Sequence, residues 1–390
     1  MKRLLICVLI LSLLVTGVVL VSSQRGKPLS LFTPVTSPNA LPDGRLSPPL
    51  VYGYLPYWTE KKAQFSPALT HVSYFSLAIH TDGHIDGIDG SKTTEAGARA
   101  IQNGVLEKLR TTIPSTTALE LTLTMMDQKE IPVFVDTPGI ADATASDLAW
   151  LFSHYPITGV NIDVEYVGET TPQQQQAFAT YVRDVSKRLK DKHPVAHLSI
   201  AIMADSADRP RLTNPTLLAP SVDHIIVMAY DYHQRGSLKT GPNAPLYASE
   251  DSIFGRDILT SLRSIQASVP SNKIILGIPL YGYQWGVEGS DTSNFTLPKT
   301  GKTMTYAQII ALLQSKQVQR FFDPVSLTPY ITFEQDGTTQ QLFYEDAQSI
   351  RYKLELVTQA HLGGIALWAL GFEGSSRDLW KTITEWTQSR

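Results

Sequence analysis

The 390-residue sequence contains one cysteine, Cys7, and it lies inside an N-terminal apolar run. The rest of the chain therefore forms no disulfide, offers no thiol nucleophile and has no cysteine ligand for a metal, so its chemistry is compatible with export to an oxidising compartment. Charge of one sign is also lacking. With 33 Lys and Arg against 36 Asp and Glu, the formal net charge is −3. That balance leaves no basic footprint for nucleic acid and no reason to expect an anionic membrane surface as partner. The nine histidines show no metal-ligand spacing, and neither a Gly-rich phosphate loop nor a Ser-His-Asp arrangement stands out. No metal, no cofactor and no protein partner are expected, and no repeat of solenoid length is found.

What is present begins with Lys2 and Arg3, followed by an apolar stretch from Leu4 to Val21. That pairing reads as an export signal. Val21-Ser22-Ser23 offers a small-residue cleavage site, while the length of the run approaches that of a membrane span. Residues 1–23 are expected to serve as a signal peptide or a membrane anchor, the anchor being preferred for length. Either way the bulk of the chain is expected to be extracytoplasmic. Residues 24–49 are rich in Pro, Ser, Gly and Thr without apolar periodicity and read as a flexible linker.

From Leu50 onward, short β-rich runs alternate with helical patterns. The strand candidates are Val51–Tyr54, His71–Ala78, Leu119–Met125, Gly159–Glu165, His197–Met203, His224–Tyr230, Ile274–Tyr281 and Gly364–Leu370. Several are nearly continuous apolar runs, as strands buried on both faces require. Eight such strands separated by helices predict an α/β fold, a (β/α)8 TIM barrel spanning residues 50–390 as one domain. The interval from about 283 to 342 is too long for a βα loop and carries strand-like pieces of its own (Thr328–Phe333, Gln340–Tyr344) and a helical one (Tyr306–Gln314). It predicts a small α+β insertion between the seventh strand and the helix that follows.

The fourth strand carries the chemistry. Alternate side chains of a strand share a face, so in GVNIDVE (159–165) Val160, Ile162 and Val164 point one way and Asn161, Asp163 and Glu165 the other. In a parallel barrel the apolar set packs under the helices, and the polar set lines the interior and climbs toward the C-terminal rim, where barrel active sites lie. The plainer alternative is a strand end with two solvated acids, but a regular alternation of buried polar groups is costly unless they are used. Paired carboxyls suit glycoside hydrolysis, because burial and a neighbouring negative charge keep one of them protonated for the leaving oxygen. Glu165, nearest the rim, is the expected proton donor. Asp163 is too close to be an opposed nucleophile, which points to substrate assistance: an N-acetyl group on the sugar attacks and Asp163 orients it.

This strand resembles the D-x-x-D-x-D-x-E signature of family 18 glycoside hydrolases, with Asp163 and Glu165 at its last two acidic positions. Thr158 and Asn161 stand where the first two acids would be. The Asn-containing form resembles a bacterial branch of the family linked to spore cortex and cell-wall peptidoglycan. Met228-Ala229-Tyr230-Asp231 resembles the family's M-x-Y-D on the sixth strand, IILGIPLYGY (274–283) its seventh and GGIALWALG (363–371) its eighth. VYGYLPYW (51–58) resembles its first strand, and the S-x-G-G pattern of the third finds no match near Leu119–Met126. The resemblance implies catalytic roles for Glu165, Asp163 and Tyr230. It implies substrate contacts from Tyr54, Phe75, Asn161, Asp231, Tyr281 and Trp368, with Trp368 as the apolar floor under a sugar ring and Trp58 as a further candidate. The function implied is a retaining, metal-free hydrolase of β-linked N-acetylglucosamine polymers, peptidoglycan before chitin. A catalytically silent carbohydrate-binding protein on the same barrel is the alternative.

Overall fold

Runs rich in Ile, Leu and Val form the inner wall of the molecule. In the computed structural model, which describes residues 48–389 apart from 249–255, 290 and 316–317, the first seven strands follow the predicted order. They are β1 (Leu50–Pro56), β2 (His71–Ala78), β3 (Ala118–Met125), β4 (Gly159–Val164), β5 (His197–Met203), β6 (His224–Met228) and β7 (Ile274–Pro279). An excursion then adds β8 (Tyr281–Val287), β9 (Lys302–Thr305), β10 (Gln319–Asp323), β11 (Thr328–Gln335) and β12 (Thr338–Phe343), and β13 (Gly364–Trp368) returns to the wall. The order β1-β13-β7-β6-β5-β4-β3-β2 closes a parallel barrel, with the interstrand helices packed outside. Val160 and Ile162 are fully buried and Val164 nearly so, as the alternation on β4 requires.

The insertion is an antiparallel five-stranded sheet, ordered β10-β11-β12-β8-β9, with the helix Tyr306–Ser315 between β9 and β10. It begins at Tyr281, slightly before the expected 283, because Ile274–Tyr281 is not one strand. Pro279 has no N–H to continue a ladder, and Leu280 changes partners. Its N–H bonds to the Trp368 carbonyl at 2.7 Å, while its own carbonyl accepts from Tyr306 at 2.9 Å. The chain thereby passes from the barrel into the second sheet. The insertion core of Tyr281, Tyr283, Trp285, Val287, Tyr330 and Phe343 packs against Tyr230, Trp368 and Phe372 of the barrel mouth.

The helix Pro172–Lys192 opens with Pro at its first turn and a reciprocal capping box between Thr171 and Gln174. The expected signal or anchor (1–23) and nearly all of the linker (24–49) lie outside the described residues. Among the described residues no helix is long and apolar enough to cross a membrane.

Candidate active site

On β4, Asp163 is 4% exposed and sits in register with Thr124 of β3. The rung below, Asn161, is fully buried. Its side-chain carbonyl accepts from the Tyr54 hydroxyl at 3.1 Å and its amide donates to Ser199 Oγ at 2.9 Å. Asn161, expected among the substrate contacts, is thus placed beneath the cleft, where it holds Tyr54. Where the third-strand signature is missing, hydroxyls fill the space: Ser73 bonds Thr122 at 2.8 Å and Thr124 donates to Ser76 Oγ at 3.0 Å.

Burial, and after it the charge of Glu165, pushes the Asp163 carboxyl well above its usual range. Burial, then the Asp231 charge, pushes Glu165 up as well. The Asp163–Glu165 pair therefore retains a proton toward neutral pH, the state a general acid needs. Asp163 Oδ1 is buried with no hydrogen-bond partner among the described residues.

Past the end of β6, Tyr230 and Asp231 turn into the mouth. Gly277 of β7 makes room for this: a Cβ there would stand 2.5 Å from the Val227 carbonyl and 3.0 Å from the Tyr230 ring. Asp231 adopts φ +62°, a left-handed conformation that Asp tolerates better than most residues. Its N–H bonds Asn243 Oδ1 at 2.7 Å, while Asn243 Nδ2 donates to the Tyr281 carbonyl at 3.2 Å. Both tyrosines of β8 reach back to it: Tyr281 OH at 2.5 Å and Tyr283 OH at 2.9 Å donate to Asp231 Oδ1. Burial raises the Asp231 carboxyl, against the pull of these two hydroxyls. Neither Tyr283 nor Asn243 was singled out from sequence. Tyr283 could have been, since it shares a strand face with Tyr281.

An aromatic wall stands on the β13–β1–β2 side. Trp368 lies 5.6 Å from Tyr54 and 4.8 Å from Phe75, ring centre to ring centre. Phe75 backs these two and also meets Trp58, which is half exposed. The neighbouring Tyr74 points outward instead, its hydroxyl donating to the Gly97 carbonyl.

The loop carrying Glu165 is clamped from two sides. Gln128, after β3, donates to the Glu165 carbonyl at 2.6 Å and accepts from the Val167 N–H at 2.9 Å. Arg211, after β5, donates to the Val167 carbonyl and forks onto Asp205 at 3.0 and 2.8 Å. These parts border a cleft of about 840 Å³, lined by Tyr54, Asp163, Glu165, Tyr230, Asp231, Tyr281 and Trp368 among others.

Spacing in the sequence gave no sign of a histidine cluster, yet the fold makes one inside the lower barrel. Facing atoms of His71, Glu120 and His197 lie within 4.8 Å of one another, a two-imidazole, one-carboxylate set of the kind that can ligate a divalent metal. The same groups already form a hydrogen-bonded chain. Glu120 bonds His197 Nδ1 at 2.7 Å and the Tyr52 hydroxyl at 2.8 Å, and His197 Nε2 meets His224 Nδ1 at 2.7 Å. Burial, the largest single influence, lowers His197, but the charge and hydrogen bond of Glu120 together with the Asp223 charge outweigh it and the imidazole is raised. Burial, then the His197 charge, pushes His224 down to about 3. One imidazolium held by one carboxylate accounts for these contacts. The group lies among the early residues of β2, β3, β5 and β6, at the end of the barrel opposite the cleft.

Sequence comparison matches residues 51–373 to the model of glycosyl hydrolases family 18. The chain is 30% identical over 222 residues to the glycosylase YdhD of Bacillus subtilis (strain 168), covering 54% of this chain and 46% of that protein. It is 21% identical over 330 residues to the cortical fragment-lytic enzyme of Bacillus anthracis, covering 82% and 68%. Among solved structures, an immunomodulatory active chitinase from Trichuris suis superposes with a TM-score of 0.74 at 18% identity, covering 86% of this chain and 99% of that one. The chain spans about half the length of YdhD.

Proposed function

This chain belongs to glycosyl hydrolases family 18, and from that premise we propose that it is a retaining, extracytoplasmic hydrolase of β-linked N-acetylglucosamine polymers, acting on peptidoglycan in preference to chitin. The observation that carries the proposal is the carboxyl pair at the C-terminal end of β4, Asp163 on the strand and Glu165 just past it. Burial and the Asp231 charge raise Glu165 above its usual range at the rim, and Asp163 lies buried below it with an oxygen that lacks a donor. Leaving such an acceptor unmet costs about 1–3 kcal/mol, and an acetamido N–H entering the cleft would recover it. The preference for peptidoglycan is supported by the likeness to the cortical fragment-lytic enzyme.

Glu165 donates its proton to the glycosidic oxygen as the bond from that oxygen to the anomeric carbon breaks. The acetamido carbonyl oxygen of the substrate attacks the same carbon from the opposite face, giving an oxazolinium ion. Asp163 accepts the acetamido N–H, and the Tyr230 hydroxyl donates to its oxygen; burial, then the Glu165 charge, keeps that phenol protonated. Glu165, now a carboxylate, takes a proton from water, and the hydroxide equivalent opens the ring with net retention. Substrate assistance of this kind is this family's known departure from the two-carboxylate scheme. Trp368 and Tyr54 supply an apolar floor for the C–H faces of the sugar.

The test is a digest of purified peptidoglycan and of chitin side by side, with the new ends identified by mass. Glu165→Gln is expected to lower turnover by a factor on the order of 10² to 10⁴ while binding persists. Unchanged turnover in that variant sinks the assignment of the acid. Binding without new reducing ends in the native protein identifies a silent carbohydrate-binding barrel instead.

A further inference from the structure

The cleft wall across the barrel from the aromatics is cationic. Arg209 and Arg211 follow β5, and Arg256 precedes the helix Ile258–Gln266 that follows β6. In the strand order these elements face β1 and β2, which carry Tyr54 and Phe75. All three guanidinium groups line the same cleft as Glu165 and converge on one carboxylate, Asp205. They do not share it equally. Arg211 takes both oxygens in a fork and also fixes the Val167 carbonyl, so its work is local and structural. Arg256 reaches one Asp205 oxygen at 3.4 Å and Arg209 the same oxygen at 3.6 Å. That contact is made by Arg256 Nη1, which is buried and beyond this long ion pair has no hydrogen-bond partner among the described residues. Burial pushes Asp205 up, but its arginine neighbours hold it below the usual carboxylate range. Among the described residues it is the one carboxylate ion-paired with these three arginines, with Glu169 as a further acid acting on Arg211.

A partly buried guanidinium nitrogen met only by a long ion pair, to a carboxylate oxygen that two other arginines share, is under-compensated and would gain from a further acceptor. This surplus is specific to its place, since the chain as a whole carries −3 and the chemistry beside it is acidic. A neutral N-acetylglucosamine polymer offers such a wall hydroxyl and carbonyl acceptors but no counter-charge. Peptidoglycan does: alternate sugars carry a lactyl ether that ends in a carboxylate or bears a peptide with carboxylates of its own. Guanidinium pairs with carboxylate in a planar, two-point geometry that selects both charge and orientation.

We propose that Arg209 and Arg256 form a carboxylate-recognition site in the cleft wall, which selects glycans bearing an acidic substituent on the sugar beside the one cleaved. The proposal rests on the hydrolase reading and refines its substrate, with Arg211 as a positioning residue for the Glu165 loop.

Binding separates this inference from the reading beneath it. In the full chain carrying Glu165→Gln, affinities are measured by calorimetry for peptide-free glycan oligosaccharides with the lactyl carboxylate exposed, for peptide-bearing ones, and for the peptide-free set after chemical reduction of the carboxyl. One acidic set is expected to bind about tenfold more tightly than the reduced set, and which one does so names the source of the carboxylate. That ratio should fall to within about threefold of unity in Arg209→Ala/Arg256→Ala, and should shrink as salt rises from about 50 to about 500 mM. The double substitution to Lys should keep part of the preference. Arg209→Ala alone, at a half-exposed side chain, still lowers the ratio should the double variant fail to fold. Equal affinity for reduced and acidic glycans overturns the proposal, as does a ratio that survives removal of both arginines. The hydrolase reading stands or falls separately, on turnover by the native protein.

Discussion

Two neighbours set the proton affinity of Glu165: the wall that buries it and the Asp231 charge across the mouth. Asp231→Asn removes the charge and leaves the burial. Glu165 should then release its proton at lower pH, so the alkaline limb of kcat/KM moves toward acid, by up to about one unit. A pH–rate profile of variant and native protein, on the substrate that the digest identifies, reads this directly; an unmoved limb means that another group controls it. At this scale the site was largely legible in the sequence. Asp163 and Glu165 are two apart on a strand, and a strand's period of two puts both on one face whatever surrounds them. Asn161 shares that face, yet only its depth decides that it meets Tyr54 and Ser199. Depth is a property of the barrel and not of the strand.

The clamps on the Glu165 loop belong to the scale of elements. Gln128 closes both its polar groups onto the backbone on either side of Tyr166, joining the loop after β3 to the loop after β4. Gln128→Ala should free that backbone and lower kcat about tenfold, since misplacement by about 1 Å at a reacting group costs up to about a hundredfold. The position of the alkaline limb should stay put, because neither burial nor Asp231 changes; steady-state kinetics over pH distinguish this loss of positioning from a loss of proton affinity. Gln128 carried no sequence signal, because a loop glutamine is ordinary until its partners are known. The switch of sheets at Leu280 escaped for a related reason. The run through Tyr281 is apolar throughout, and hydropathy does not say which sheet supplies a strand's partners.

Across the whole molecule, the cleft at one end is matched by a buried ion pair at the other. Burial pushes Glu120 up, but the charge and hydrogen bond of His197, with His71 and Tyr52 behind it, hold the carboxyl below its usual range. Its contribution to stability is present above the ordinary glutamate value and fades as pH falls through the lowered one. His197 is raised, so its share is complete below the ordinary histidine value and fades as pH climbs through the raised one. Their joint contribution therefore peaks between about pH 4.3 and about 6.5. Glu120→Gln strands the imidazolium and should destabilise the barrel by about 3–5 kcal/mol in that window, the deficit narrowing toward pH 9. Urea unfolding of both proteins across pH 4–9 measures it, and a pH-independent deficit would show that packing, not the ion pair, is lost.

Periodicity, composition and short motifs by themselves determined the eight-strand alternation, the presence of an insertion and the shared face of Asp163 and Glu165. These follow from local rules that act over a few residues. Only the closed barrel decided that Tyr54 meets Asn161 across 107 positions, that Glu120 meets His197 across 77, and that arginines from two different loops face an aromatic wall. Such pairings depend on strand order, register and closure, which bring together groups that no local pattern in the chain relates.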